Sequence, residues 1–577
     1  MVLTNKIKFN INYDQFFEVY DVYYISTSEY KTKLPSFLRK NFKALSIFYT
    51  YGKTMYVMYK KGEVSLDDLK TIINDDSVQI GASGPYDNVI LNIALNSLGN
   101  FKNEKLAFNN LTGSLYLFDD SSTKKTIKAY DISFVVGKNK PYYMNVSVTS
   151  FMKYDPKYPS YDLYELTNKG GLKAVLNSKD ATGDLYVKKK GGKKKTTSKF
   201  YDLSKTLDRA TIYHMIMKEF KKKFEGLIDI DFVSYEPIQK YKTLKAQSTK
   251  KTNERKKALY ESINGRVLNI VSNIDLENDK NHEASYYENN IDVFVSKLLE
   301  DGFKVDRDKK ICKYPLNIVI NHEKDYYDED DYDPYKDLDR NTAVQCVTIE
   351  TLIHSFTPDN FGKLHLSSYY VVLKELVIKN DLKYTHKISL DDWAKRELKE
   401  DYIFGMFADD KEDKIAYLKV KPDGSIETYY NEKSLFNLDE IERIKLALEN
   451  DKAKYFIMDS TGHINTISPT EIIVLPTEKV LEEKKKTKDY KEEFMEGIFD
   501  IHTYDIEGEL YYTSGVKDNI QSNIDKATHF YKVNTYNGRN IFIDLVKTVG
   551  VDFVRYGNYT VLPYPFKYLR EYVNLIK

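Results

Sequence analysis

The sequence is short of most features that would identify a protein quickly. Two cysteines in 577 residues, Cys312 and Cys346, exclude a disulfide framework and point to a reducing compartment. No apolar run approaches the ~18–20 residues that a membrane span needs. The opening Met1-Val-Leu-Thr-Asn-Lys-Ile-Lys8 is broken by charge, unlike a secretory leader. Excess charge is missing too: 87 Lys+Arg stand against 86 Asp+Glu. A nucleic-acid surface would therefore need local segregation of charge. The nine histidines are scattered without zinc spacing, and His282, His322 and His354 read as structural or exposed. There is no Walker A loop and no Gly-x-Gly-x-x-Gly. These absences leave a soluble, cytoplasmic, multidomain protein, since one core rarely exceeds ~250–300 residues.

Residues 1–180 hold short aromatic and β-branched segments, among them Ile7–Ile11, Ser46–Thr50, Leu115–Phe118 and Met144–Val148. Their alternation predicts antiparallel strands. A basic loop, Lys188–Lys195, and a helical pattern through Leu207, Ile212, Ile216 and Phe220 occupy 181–265, with a charged linker at Lys250–Lys257. Between 266 and 395 the pattern becomes β-α-β-α-β. Val267–Val271, Leu316–Ile320 and Val344–Ile349 are strands, and a helix spans roughly 367–379. That succession predicts a parallel, Rossmann-like sheet. From 396 to 577 three strands (Tyr402–Phe407, Ile415–Val420, Ile426–Tyr430) precede a helix near 437–448 and a further strand, Tyr455–Met458. The fold class is thus α/β and multidomain, with a β-rich N-terminal half.

Two constellations carry chemistry. In the Rossmann-like segment an acidic tract ends in Tyr332-Asp-Pro-Tyr-Lys336, where Asp333 and Pro334 suit a helix start. Gln345 sits inside a strand otherwise apolar or β-branched, and Lys374 and Lys379 lie on a helix whose stripe is Val372, Leu373, Leu376 and Val377. Such groups can cradle a terminal phosphate, because a helix start offers unpaired N–H groups and lysine adds positive charge. Near the end of the chain, Tyr559-Thr-Val-Leu-Pro-Tyr-Pro-Phe566 leads into a helix. Pro563 has no N–H to give a sheet, and Pro565 fits a first helical turn.

Leu562-Pro-x-Pro565 followed by an aromatic and a helix resembles the end of the PIWI domain of Argonaute proteins. Val344-Gln-Cys-Val347 and the lysine-ended helix resemble the family's MID domain. The resemblance covers roughly 266–577 and implies a MID-like domain at 266–395 and an RNase H-like PIWI domain at 396–577. It implies that Tyr332, Lys336, Gln345 and Lys379 grip a guide 5′-phosphate, with Lys374 as helper. Tyr335 is the alternative aromatic, because Pro334 separates Tyr332 from Lys336. It also implies a Mg²⁺ ion at the guide end, held by the C-terminal carboxylate of Lys577.

The family's nuclease carboxylates map onto Phe407, Asp459 and Arg570, with Glu432, Glu440 and Glu442 as candidates for the remaining one. Phenylalanine and arginine cannot ligate Mg²⁺. Asp409 and Asp410 are the alternatives to Phe407. The implied function is a short single-stranded guide, DNA or RNA, pairing with a target, DNA favoured. Invading plasmid or phage DNA would be recognised without cutting, and an effector such as a helicase or nuclease recruited. An active two-metal nuclease and an unrelated structural or assembly protein are the alternatives.

Overall fold

The computed structural model describes all residues except 28–33, 51–53, 74–76, 100–105, 110–113, 119–125, 138–140, 156–162, 167–171, 176–180, 189–199, 203–206, 242–258, 264, 275–283, 308–313, 324–340, 354–361, 391, 409–413, 431–437, 487–500, 514–527, 537–540, 550–561 and 577. The chain forms two compact units. One comprises Met1–Glu236 with Glu471–Phe494, the other Pro237–Thr470 with Met495–Lys577.

The first unit is β-rich, and its pairings are antiparallel. Val2–Ile11 runs against Ile228–Tyr235, with Ile7 opposite Phe232 and Ile11 opposite Ile228. Thr126–Val136 and Tyr142–Lys153 form a long ladder. A separate four-stranded sheet has the order Ser46–Tyr49, Thr54–Lys60, Tyr20–Thr27, Val78–Ala82. Helix Arg209–Lys223 starts where the Asp208 carboxylate accepts the Thr211 N–H at 2.9 Å. Periodicity missed the helix Asp87–Asn96. Every residue from Val89 to Asn96 is buried, so no polar face marks the helical repeat.

The second unit contains a four-stranded parallel sheet. Its order is Lys304–Asp306, Val267–Ser272, Leu316–Asn321, Ala343–Thr348. All six residues of Leu316–Asn321 are buried, as expected of a strand covered on both faces. Helices Ala284–Glu300 and Leu366–Asn380 supply Phe294, Leu298, Tyr369, Leu373 and Leu376 to a core with Leu268, Ile270, Leu316 and Ile318. The edge strand Lys304–Asp306 has one apolar residue and was not legible.

The rest of this unit is built on the central strand Tyr402–Phe407. Ile415–Val420 pairs antiparallel on one side of it and Tyr455–Met458 antiparallel on the other. Ile426–Tyr430 continues the sheet beyond Ile415–Val420. Alternation sorts the side chains. Phe404 and Met406 join the core under the C-terminal helix Pro565–Ile576, which brings Phe566, Tyr568, Leu569 and Val573. Ile403 and Phe407 face the opposite core, with Ile444, Ala447 and Leu448 of helix Leu438–Asp451. Gly405 lies between them on that second face. A Cβ there would stand 2.0 Å from Cζ of Phe456, its cross-strand partner, so only glycine admits this ring. Pro565 occupies the first helical position as its fixed φ favours, and Phe566 stacks edge-on against Phe404 at 5.3 Å. Of the run Tyr559–Leu562, residues 559–561 lie outside the described residues.

Candidate functional site

Of the residues expected at a phosphate cradle, the structure brings Gln345 and Lys379 together. Lys379 ends helix Leu366–Asn380 one residue early and turns to the neighbouring strand. Its Nζ donates to the carbonyl of Val344 at 2.7 Å. Gln345 is 8% exposed. Its Nε2 donates to Glu375 Oε2 at 3.0 Å and to the carbonyl of Cys346 at 2.9 Å. Its Oε1 is buried and has no hydrogen-bond partner among the described residues. Lys374 lies on the same helix and is partly exposed. Tyr332, Tyr335, Lys336 and Lys577 lie outside the described residues.

Three participants were missed in the sequence. Lys567 of the C-terminal helix reaches Glu375 Oε1 at 3.1 Å and Glu571 Oε1 at 3.6 Å. Glu571 Oε2 lies 4.0 Å from Lys379 Nζ. Two lysines and two glutamates thus alternate around Gln345, and the side chains of Lys379, Lys567 and Glu571 are each less than 15% exposed. Glu375–Lys379 and Lys567–Glu571 are each spaced i, i+4, a signal for pairing within one helix. The cross-pairing between two distant helices has no such signal. Burial pushes the Cys346 thiol up to about 11, against the opposing pull of Lys379. Beside the cluster, burial raises the Asp381 carboxyl despite bonds from Ser389, Thr385 and Tyr568, whose hydroxyl donates at 2.8 Å.

The described part of this site does not fit Mg²⁺. Both of its carboxylates, Glu375 and Glu571, are engaged by lysine ammonium groups. A cation would have to displace those groups, and the expected carboxylate ligand of Lys577 is outside the described residues. No group of three or more His, Cys, Asp or Glu side chains among the described residues is arranged to hold a metal.

Among the described residues the second expected constellation does not come together. Phe407 ends the central strand, half-buried against the core under helix Leu438–Asp451, with Lys445 Nζ 5.7 Å from its ring centre. Asp459 follows a strand that runs antiparallel, so Met458 pairs with Ile403 at the other end. About five residues at ~3.3 Å each separate the two levels, roughly 16 Å. Arg570 is exposed on the C-terminal helix, which covers the face opposite to Phe407. Glu440 and Glu442 are on helix Leu438–Asp451, where Glu440 lies 3.7 Å from Arg443. Asp409, Asp410 and Glu432 lie outside the described residues.

Asp459 is committed to its own turn. Its Oδ1 accepts the N–H of Thr461 at 2.9 Å, the Thr461 hydroxyl at 2.7 Å and the N–H of His463 at 2.9 Å. Its Oδ2 meets His463 Nδ1 at 3.1 Å. Gly462, at φ +86°, supplies the left-handed turn residue. Burial pushes this carboxyl up, but the bonds from His463 and Thr461 outweigh it and hold it below its ordinary value.

A second unit with a parallel sheet, an antiparallel sheet and a C-terminal helix shared between them defines a multi-sheet α/β class. No protein-family model matches the chain, and no curated protein sequence matches it. Among solved structures the chain is similar to Marinitoga piezophila Argonaute in complex with 5′ OH guide RNA and target DNA. Identity is 12%, the TM-score is 0.40, and the match covers 99% of this chain and 98% of that one. It is likewise similar to Kluyveromyces polysporus Argonaute with a guide RNA, at 10% identity and TM-score 0.42, over 100% of this chain and 94% of that one. No helix among the described residues is long and apolar enough to cross a membrane.

Proposed function

We propose that this protein is an Argonaute-like, guide-dependent nucleic-acid-binding protein. Residues 266–395 act as a MID-like domain and 396–577 as a PIWI-like domain. It holds a short guide at the Gln345/Lys379 site, pairs it with invading plasmid or phage DNA in the cytoplasm, and recruits a separate effector without cutting.

The observation that carries this reading is the meeting of Gln345, Lys379 and Lys567. Gln345 and Lys379 come from the strand and helix that resemble the MID pattern, and Lys567 from the helix after Pro563-x-Pro565. Two segments that each resemble part of one family thus lie in contact. Neither alone would carry it. Binding of the guide needs no metal-binding carboxylates, because backbone phosphates and base pairing supply it.

The test is to purify the protein, extract and sequence its nucleic acid, and measure binding of a guide and then of a matched target. Short co-purifying strands and a guide-dependent gain in target affinity are expected. A protein that carries no short strands, and binds matched and unmatched targets alike with any guide, refutes the reading.

A further inference from the structure

The order of residues in the sequence points to a phosphate at the guide end, but the structure pairs both lysines at that end with carboxylates. Lys379 is already engaged by the Val344 carbonyl and faces Glu571. Lys567 lies between Glu375 and Glu571. The two ammonium groups and two carboxylates sum to zero in a setting that water scarcely reaches. A phosphate dianion entering here would meet the buried carboxylate of Glu571 and the half-buried one of Glu375, and would have to break the ion pairs that hold both lysines. Breaking a buried pair leaves an uncompensated charge, which is costly.

Gln345 adds an independent argument. Both partners of its Nε2, the Glu375 carboxylate and the Cys346 carbonyl, can only accept. That fixes the orientation of the amide. Among the described residues, the side-chain atom left without a partner is Oε1, an acceptor buried in a residue that is 8% exposed. An acceptor pairs with a hydroxyl and repels phosphate oxygens.

We propose that Glu375 and Glu571 are specificity-determining residues that make this site take a guide beginning with a 5′-hydroxyl and disfavour a 5′-phosphate. This rests on the guide-binding reading above. The carboxylates do two things: they neutralise the lysines, and Glu375 turns the Gln345 amide so that its oxygen is the group on offer. Removing both charges would free Lys379 and Lys567 for phosphate.

The experiment uses the full chain and one guide sequence, 3′-labelled, with either a 5′-hydroxyl or a 5′-phosphate. Dissociation constants are measured for the wild type and for Glu375→Gln/Glu571→Gln. The wild type should bind the hydroxyl guide at least as tightly as the phosphorylated one. The double variant should shift the ratio toward phosphate by about tenfold or more, since charge-assisted contacts to both lysines become available. If the double variant loses the folded-state emission of Trp393, the ratio is read on Glu571→Gln alone, where a smaller shift of the same sign is expected. A wild type that prefers the phosphorylated guide more than about tenfold, or a ratio unmoved in the folded variants, overturns the end-group assignment while leaving guide binding intact. Failure of the wild type to bind either guide overturns the guide reading itself.

Discussion

Replacing Asp459 distinguishes a metal-ligand role from a structural one, and the structure gives the size of the effect. Four hydrogen bonds converge on a carboxylate that is 1% exposed. Asp459→Ala removes the acceptor for all of them. Bonds to a charged group contribute roughly 1.5–3 kcal/mol each, but water reaches the exposed Thr461 and restores part of the loss, so the expected net destabilisation is about 3 kcal/mol. Asp459→Asn keeps an oxygen for the three bonds at Oδ1 and should cost about 1 kcal/mol. The probe is built in. Trp393, the one tryptophan, is 2% exposed and shares a core with Ile457, two residues before Asp459. With a urea slope near 3 kcal/mol/M for a large unit, the fluorescence midpoint should fall by roughly 1 M in the alanine variant and by about a third of that in the asparagine variant. Because the folded carboxyl sits below its ordinary value, its stabilisation is fully present above about pH 4 and is lost as pH falls through the lowered value. The gap between wild type and alanine variant should therefore narrow in acid. Equal midpoints for wild type and Asp459→Ala would refute the structural role, because a carboxylate kept only for a metal can be removed without loss of stability.

Gly405→Ala forces a Cβ to 2.0 Å from the buried Phe456 ring and should destabilise the same unit by about 3 kcal/mol; Phe456→Leu in the same chain should restore part of that, and a neutral single variant would contradict the packing. Cys346, pushed up to about 11, should be alkylated at pH 8 roughly tenfold or more slowly in the folded chain than after denaturation, followed by peptide mass; stability should also decline as pH rises from about 8.5 toward 11, where the unfolded thiol ionises and the folded one does not. On the proposed reading a guide-matched target should remain uncut with Mg²⁺ or Mn²⁺, since Phe407 is apolar at the position where the resemblance would place a carboxylate and Asp459 lies at the other end of the strand. A product cut at one fixed guide position, and lost on Asp459→Ala without loss of stability, would overturn that.

What could be read from the sequence was the material that periodicity encodes. Val267–Val271 and Leu316–Ile320 are apolar runs each broken by a single asparagine, Asn269 and Asn317, and both became buried parallel strands. The helix Leu366–Asn380 showed its stripe, and the two prolines located the start of the C-terminal helix. Strand direction was not encoded. A two-residue repeat fixes which face a side chain takes, not which way the strand runs. The antiparallel course of Tyr455–Met458 therefore separated Phe407 from Asp459 against expectation. Asp459-Ser-Thr-Gly462 did carry a turn signal, since aspartate accepts from backbone two residues on and glycine provides positive φ. Glu375 and Glu571 gave no signal of a shared network, because the pairs that join their two helices, Glu375–Lys567 and Glu571–Lys379, link distant parts of the chain.

The ion network and the Tyr568–Asp381 bond also bear on how the protein is made. Glu375 and Lys567 are 192 positions apart, and Asp381 and Tyr568 are 187 apart. During synthesis the parallel sheet and its lysine-ended helix are complete long before the C-terminal helix exists. Until then Glu375 and Asp381 have no Lys567 or Tyr568, and the apolar face of the central strand lacks Phe566. Contacts of such sequence separation form late. Helix Pro565–Ile576 thus completes the polar contacts and the core of a domain made well before it, so a chain stopped just short of Pro565 would carry a formed sheet whose Glu375 lacks Lys567, whose Asp381 lacks Tyr568, and whose core lacks Phe566.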